Sequence, residues 1–286
     1  MPNLVSPGLS LSAAVSWGAA DFNGGLATKR SNVFGVVAIA HGIGLIFMVL
    51  LAVLAREHVP TWPSLLWGLA AGSVGGAGLA CLYKALAVGK MGLTAPLSAV
   101  ISVLVPIIFS FSTAGLPGGL QLFGFGLAIL SIWLIAKQGR STGESAGLGL
   151  AVAAGFGLGG FLLFIKFAGT QGVFWPLVAA RAGSFCLMIV LLLRSWLIVG
   201  EKQRASWKPG TGIFGYILLA GILDSGANAL YVAATQRGRL DVAAVLSSLY
   251  PASTVILARV VLKERWSRLQ SLGMLAALAA VPLVAR

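Results

Sequence analysis

The sequence predicts an all-α integral membrane protein: ten transmembrane helices forming two inverted five-helix repeats around a central cavity. Three observations predict it. Of the 286 residues, 58% are hydrophobic and only 9% are charged, with a mean hydropathy of +0.96. A soluble domain carries about 25% charged residues, so this chain could not cover its surface in water. Apolar runs of about 20 residues follow one another from end to end, each long enough to cross a bilayer as a helix. A long stretch also recurs. Leu82–Ala136 returns as Tyr231–Ala285 at an offset of roughly 149, with Gly89 on Gly238, Leu97-Ser98 on Leu246-Ser247 and Gly124 on Gly273. A repeat of that length is half a fold, not a short solenoid unit. Strands of a membrane barrel would alternate polar and apolar residues, and these runs do not.

The expected spans are 9–28, 33–55, 64–86, 92–113, 119–136, 147–168, 174–198, 211–234, 240–262 and 268–285. The first lacks a basic start and an obvious cleavage site, so it reads as a retained span rather than a signal peptide. The third carries Gly68, Gly72 and Gly76, a ridge of small residues suited to close helix packing. In the fourth and ninth, Pro96, Pro106 and Pro251 each remove a helix hydrogen bond and predict kinks that free backbone carbonyls. Tryptophans near span ends, among them Trp62, Trp67, Trp175, Trp196, Trp207 and Trp266, read as interface anchors. The segment 138–146 is polar and links a first repeat, 1–137, to a second, 147–286. The first two spans of each half match more loosely, with Phe22 on Phe161 and His41 on Arg181 at an offset of roughly 140.

Five spans is an odd number, so the second copy enters the membrane from the opposite side. Lys and Arg cluster after odd-numbered spans (Lys29, Arg30, Lys84, Lys137, Lys202, Lys263 and Arg265, for example), which predicts those connections in the cytoplasm and both termini outside. The net charge of +13 would suggest nucleic acid in a soluble protein. Here the basic residues sit mostly in short connections, where they orient the chain and meet lipid headgroups, and no nucleic-acid partner is expected. Cys81 and Cys186 lie inside apolar runs and read as packing residues, not a disulfide framework.

The pattern resembles the EamA-type transporters of the drug/metabolite transporter superfamily. The residues that carry the likeness are the two five-span halves, an Ala95-Pro96-Leu97-Ser98 segment, and Leu262-Lys263-Glu264-Arg265-Trp266-Ser267-Arg268-Leu269-Gln270-Ser271-Leu272-Gly273. The first half keeps only Leu120-Gln121 and Gly124 of the second signature, and Gly115-Leu116 stand in its Glu-Arg place. The resemblance implies movement of amino acids, aromatic ones among them, and other small metabolites, usually outward across the bacterial inner membrane.

A charge inside a span costs about 2.5–3.5 kcal/mol on the insertion scale, so such groups turn inward, pair or face water. The candidates are Asp21, His41, Lys166, Arg181 and Asp224. Asp21 lies one helical turn from Trp17 and suits a proton, a cation or a substrate amine, or else an ion pair locking helices. His41 titrates in a useful range, but a lone membrane His is more often a packing residue. Arg181 is deep in its span, where its fork of donors suits a carboxylate or a bridge to Asp224, and it occupies a place where the resemblance implies an Arg. Lys166 lies near a span end and can reach the headgroups. Asp224, Asn228 and Tyr231 fall at i, i+4 and i+7 and form a polar stripe expected to line a cavity. Ser98, Ser102, Ser247, Ser248 and Tyr250 join the set from the fourth and ninth spans, and Trp17, Tyr83, Tyr231 and Tyr250 offer flat walls.

The leading function is a secondary transporter working by alternating access, as an exporter of small molecules. No Walker-type loop is present, so energy would come from gradients, with protons as the coupling ion. No cofactor and no metal is expected, because no other His or Cys stands at ligand spacing to His41. The partners expected are a small-molecule substrate and the lipid bilayer, with the protein a monomer or a homodimer. A channel or lipid scramblase is the alternative. An intramembrane aspartyl protease fits poorly, since Asp224 is preceded by Gly-Ile-Leu rather than a Gly-x-Gly element.

Overall fold

The computed structural model describes residues 4–28, 30–88, 91–136, 147–198, 211–262 and 268–284. The 138–146 linker, the polar 199–210 connection and positions 263–267 of the signature lie outside the described residues. Within those residues the chain is α-helical, with no strand. The first half holds α1 (Val5–Thr28), α2 (Val33–Leu54), α3 (Trp62–Val88), α4 (Met91–Ala114) and α5 (Gly119–Ala136). The second holds α6 (Leu148–Ala168), α7 (Phe174–Ile198), a 3-10 turn (Thr211–Ile213) running into α8 (Phe214–Arg237), α9 (Leu240–Ser247), α10 (Tyr250–Leu262) and α11 (Arg268–Val284).

Local chemistry sets several ends. Asn32 opens α2 by accepting the backbone N–H groups of Phe34 (2.9 Å) and Gly35 (3.3 Å), which satisfies donors the helix itself cannot. Arg239 holds the carbonyls of Ala114 (3.3 Å) and Gly115 (3.1 Å) at the end of α4, where a cation suits the orphan acceptors. Gly115 takes φ +74°, a backbone state open to glycine at low cost.

Six helical stretches are long and apolar enough by themselves to cross a membrane: Val33–Leu54, Trp62–Ala85, Leu97–Ala114, Leu148–Ala168, Phe174–Ser195 and Phe214–Arg237. The helix α1 is diluted by serines, Asp21 and Asn23, while Gly119–Leu134 and Ser271–Val284 are shorter apolar stretches. The expectation of one continuous ninth span is corrected: α9 and α10 are separated at Ser248–Leu249. Pro251 cannot donate to the Ser247 carbonyl, and the bonds at the break shorten to Leu249 N–H to Leu246 O (3.4 Å) and Ala252 N–H to Leu249 O (3.0 Å). Pro96 and Pro106 leave α4 continuous.

The principal helix pairs cross between the halves. The helix α1 packs on α8, α3 on α6 and α7, α2 on α7 and α8, α4 on α6, and α5 on α11. Side chains tie the helix ends together. Ser6 Oγ donates to Ala234 O (3.0 Å), Ser64 Oγ to Ala168 O (2.5 Å), Gln121 Nε2 to Val284 O (3.1 Å), and Gln236 Nε2 to Gly169 O (2.5 Å). The starts of α1, α3 and α5 therefore lie with the ends of α6, α8 and α11. The interior is rich in small residues such as Ala13, Ala71, Ala128, Ala151 and Ala154, while large apolar side chains such as Ile46, Leu54 and Leu197 point outward. That distribution suits lipid, where close backbone approach rather than expulsion of water holds helices together.

Candidate functional site

Small residues bring the central helices close. A side chain at Gly72 of α3 would fall on the Ala180 carbonyl of α7, and one at Gly68 would meet the carbonyl of Pro176. Gly76 lies on Ser184 Oγ. The reciprocal contact exists on the other side: Gly221 of α8 lies on the Ala40 carbonyl of α2, and Gly44 of α2 lies on Ser225 Oγ. Gly18 of α1 sits against Tyr250 O and Ser253, and Thr254 Oγ1 donates to Gly18 O (3.1 Å), so α1 is pressed onto the first turn of α10.

Between these contacts is a cavity with an empty volume, open mouth included, of about 760 Å³. From α1 it takes Trp17 and Asp21, from α2 His41, from α4 Ser102, and from α7 Ala180, Arg181 and Ser184. Asp224 and Asn228 come from α8, and Ser248 and Tyr250 flank the helix break. The α3 face adds Gly72, Gly75, Gly76, Leu79 and Leu82, and α6 adds Leu158, Phe161 and Leu162.

Arg181 and His41 converge on one carboxylate. Arg181 Nη2 lies 2.6 Å from Asp224 Oδ2, and His41 Nε2 lies 3.7 Å from the same oxygen. His41 Nδ1 is 2.5 Å from Ser184 Oγ, so the imidazole bridges α7 and α8. Arg181 and His41 are each only 4% exposed, and at that depth the Arg181 guanidinium needs its partner. Asn228 Oδ1 accepts the Trp17 indole N–H at 3.0 Å, which orients that ring at the cavity. Asp21 makes no hydrogen bond or ion pair to any of the described residues, and the Tyr250 hydroxyl is buried without a hydrogen-bond partner among them.

Of the residues singled out from sequence, Trp17, Asp21, His41, Ser102, Arg181, Asp224, Asn228, Ser248 and Tyr250 line this cavity. Tyr83, Ser98, Tyr231 and Ser247 do not, and each has a local reason. Tyr83 is 5% exposed with its hydroxyl against Gly24 of α1. Tyr231 is fully buried, packs at a tilt against Trp17 (ring centroids 5.7 Å apart) and donates to the Leu162 carbonyl at 3.3 Å. Ser247 Oγ donates to Ser10 O at 3.2 Å, and Ser98 is packed inside α4 beneath Gly155. Lys166 lies in the last turn of α6, outside the cavity lining. Cys81 and Cys186 are free thiols. Among the described residues no three His, Cys, Asp or Glu side chains come together as metal ligands.

The apolar lining was not singled out from sequence. Leu79, Leu158, Phe161 and Leu162 look like any other residues of an apolar span. The repeat register held a signal, since Gly75 and Leu79 occupy the positions matching Asp224 and Asn228 at an offset of roughly 149. Glu57 gives no such signal. Its carboxylate accepts the backbone N–H groups of Val173 (2.5 Å), Phe174 (2.8 Å) and Trp175 (2.9 Å), and its carbonyl accepts Trp175 Nε1 (2.8 Å). Trp175, expected as an interface anchor, thus also joins the α2–α3 connection to the start of α7.

The model of the EamA-like transporter family matches residues 7–137 and, a second time, residues 145–286. Among curated proteins, none matches the chain. A solved crystal structure is similar with a TM-score of 0.74 at 16% sequence identity, over 97% of this chain and 95% of that chain. At that identity the likeness speaks to the fold alone.

Proposed function

The chain belongs to the EamA-like transporter family, and from that premise we propose a secondary transporter that carries small metabolites across the bacterial inner membrane by alternating access. Amino acids, aromatic ones included, are the proposed cargo, and export is the proposed direction. One observation carries the reading. Asp21, Arg181 and Asp224, three ionisable side chains from three different helices of an apolar bundle, line the same cavity. Charges are costly in such a bundle, and a cavity that collects them is where a polar substrate can be held while lipid is excluded.

The proposed mechanism is rocking of two inverted five-helix halves around that cavity. Its support is that α1 begins at the end of the bundle where α6 finishes. It is also supported by the paired contacts of Gly72 on Ala180 and Gly221 on Ala40, which exchange when the halves are exchanged. The α9–α10 break adds irregular backbone beside the cavity, a place where it is tolerated in a membrane. We assign proton coupling to Asp21, the carboxylate without a basic partner among the described residues.

Reconstitution into proteoliposomes tests the reading. Counterflow of labelled amino acids should saturate and be inhibited by unlabelled competitor. Flux that rises linearly with concentration would instead mark a channel or scramblase. Equal rates with and without a pH gradient would remove the proton from the mechanism.

A further inference from the structure

The cavity is divided into two chemically different walls, and the division follows the repeat. Asp21, Asp224, Asn228 and Tyr250 come from α1, α8 and α10. Their matching positions in the other copy are Gly160, Gly75, Leu79 and Ile101, at the offsets of roughly 139 and 149. Two of those, Gly75 and Leu79, line the same cavity from α3, next to Leu158, Phe161 and Leu162 of α6. A pseudo-symmetric shell therefore encloses an asymmetric interior, polar along α1, α8 and α10 and apolar along α3 and α6.

The ionisable groups within it do not pair off. Arg181 is committed to Asp224 at 2.6 Å, with His41 and Ser184 completing that cluster. Asp21 has no basic partner among the described residues. The cavity thus offers one carboxylate in excess, a buried phenol hydroxyl at Tyr250 with no partner among the described residues, and an apolar floor. A zwitterion would leave that negative charge uncompensated, and an anion would double it. A cation cancels it.

We propose that the preferred occupant is an amphipathic monocation: an amine lodged against Asp21, with an aromatic or aliphatic body on the α3–α6 wall and no free carboxylate. The proposal rests on the carrier mechanism of the transporter reading above and replaces its amino-acid cargo with the corresponding amine.

Equilibrium dialysis of the purified full-length protein against four labelled probes decides it. Phenethylamine has both the charge and the body, phenylalanine adds a carboxylate, 3-phenylpropionate reverses the charge, and methylamine lacks the body. Phenethylamine should bind at least about tenfold tighter than each of the other three, in keeping with the cost of an uncompensated buried charge or an unfilled apolar wall. Asp21→Asn should abolish the preference and Asp21→Glu should keep it. If Asp21→Asn is not monodisperse, Leu79→Asn serves in its place and should weaken phenethylamine several-fold while leaving methylamine unchanged. Phenylalanine binding as tightly as the amine, or no binding by any probe, overturns the substrate class. Counterflow of the same probes separates the two readings. An amine that binds but never crosses the bilayer leaves the class standing and defeats the carrier. Phenylalanine that crosses while the amine does not bind does the reverse.

Discussion

Arg181 and Asp224 form an ion pair at 2.6 Å that joins α7 to α8 at the edge of the cavity. Their side chains are 5% and 24% exposed, so each depends on the other for its charge. Removing one partner strands the other, at a cost of about 3–5 kcal/mol for a fully buried pair and less where one side is hydrated. Arg181→Gln and Asp224→Asn should each lower the melting temperature in detergent. The double substitution should lose less than the sum of the two, because no lone charge remains. Strictly additive losses would show that the pair is not coupled.

Gly72 makes a separate prediction about packing. An added methyl would overlap the Ala180 carbonyl, and overpacking a close contact costs about 1–3 kcal/mol. Gly221→Ala, which would meet the Ala40 carbonyl, should cost a similar amount. Gly126 of α5 has nothing within 4 Å of an added Cβ, so Gly126→Ala should be neutral or gain up to about 1 kcal/mol from helix propensity. Thermal unfolding of the three variants, side by side, checks the contrast.

Glu57 links the α2–α3 connection of one half to the first turn of α7 in the other. It accepts three backbone N–H groups at 2.5–2.9 Å, groups that the helix leaves without partners. Glu57→Ala should destabilise the protein by about 1–2 kcal/mol, the range for loss of a helix cap, and Glu57→Gln by less. Faster hydrogen exchange should be confined to Val173, Phe174 and Trp175. Unchanged exchange there would mean that the carboxylate does not cap α7 in solution.

How far these features could be read from the sequence depends on the kind of signal each leaves. Asp21, His41, Arg181 and Asp224 were visible because an ionisable group in an apolar run contradicts its surroundings. Tyr83 and Tyr231 carried the same helical spacing as residues that do line the cavity, but neighbouring helices decide which face is buried. Gly24 receives the Tyr83 hydroxyl and the Leu162 carbonyl receives that of Tyr231, and no spacing within one helix reports either contact. The apolar wall left no local trace, since Leu79 and Phe161 differ in nothing but position from lipid-facing neighbours. Glu57 sits in a connection, where an acid is unremarkable until the end of another helix is placed beside it.

Pro251 shows the same limit and supplies the last test. The sequence predicts that three prolines disturb their helices, and one of them lies at the break between α9 and α10. The difference lies in the surroundings of the break. Gly18 admits α1 against Tyr250 and Ser253, Thr254 Oγ1 bonds the Gly18 carbonyl, and Ser248 Oγ turns back to Val245 O at 2.8 Å. If the missing N–H at 251 is what maintains the break, Pro251→Ala restores a donor to the Ser247 carbonyl and lets the helix run on. A restored helix hydrogen bond is worth about 1 kcal/mol net, so the variant should melt higher and exchange amide protons more slowly at Ser248, Leu249 and Tyr250. Straightening also moves Ser248 and Tyr250 relative to the cavity, so transport should fall while stability rises. A variant that keeps full transport and unchanged exchange at the break would place the cause in the α1 contact rather than in the proline.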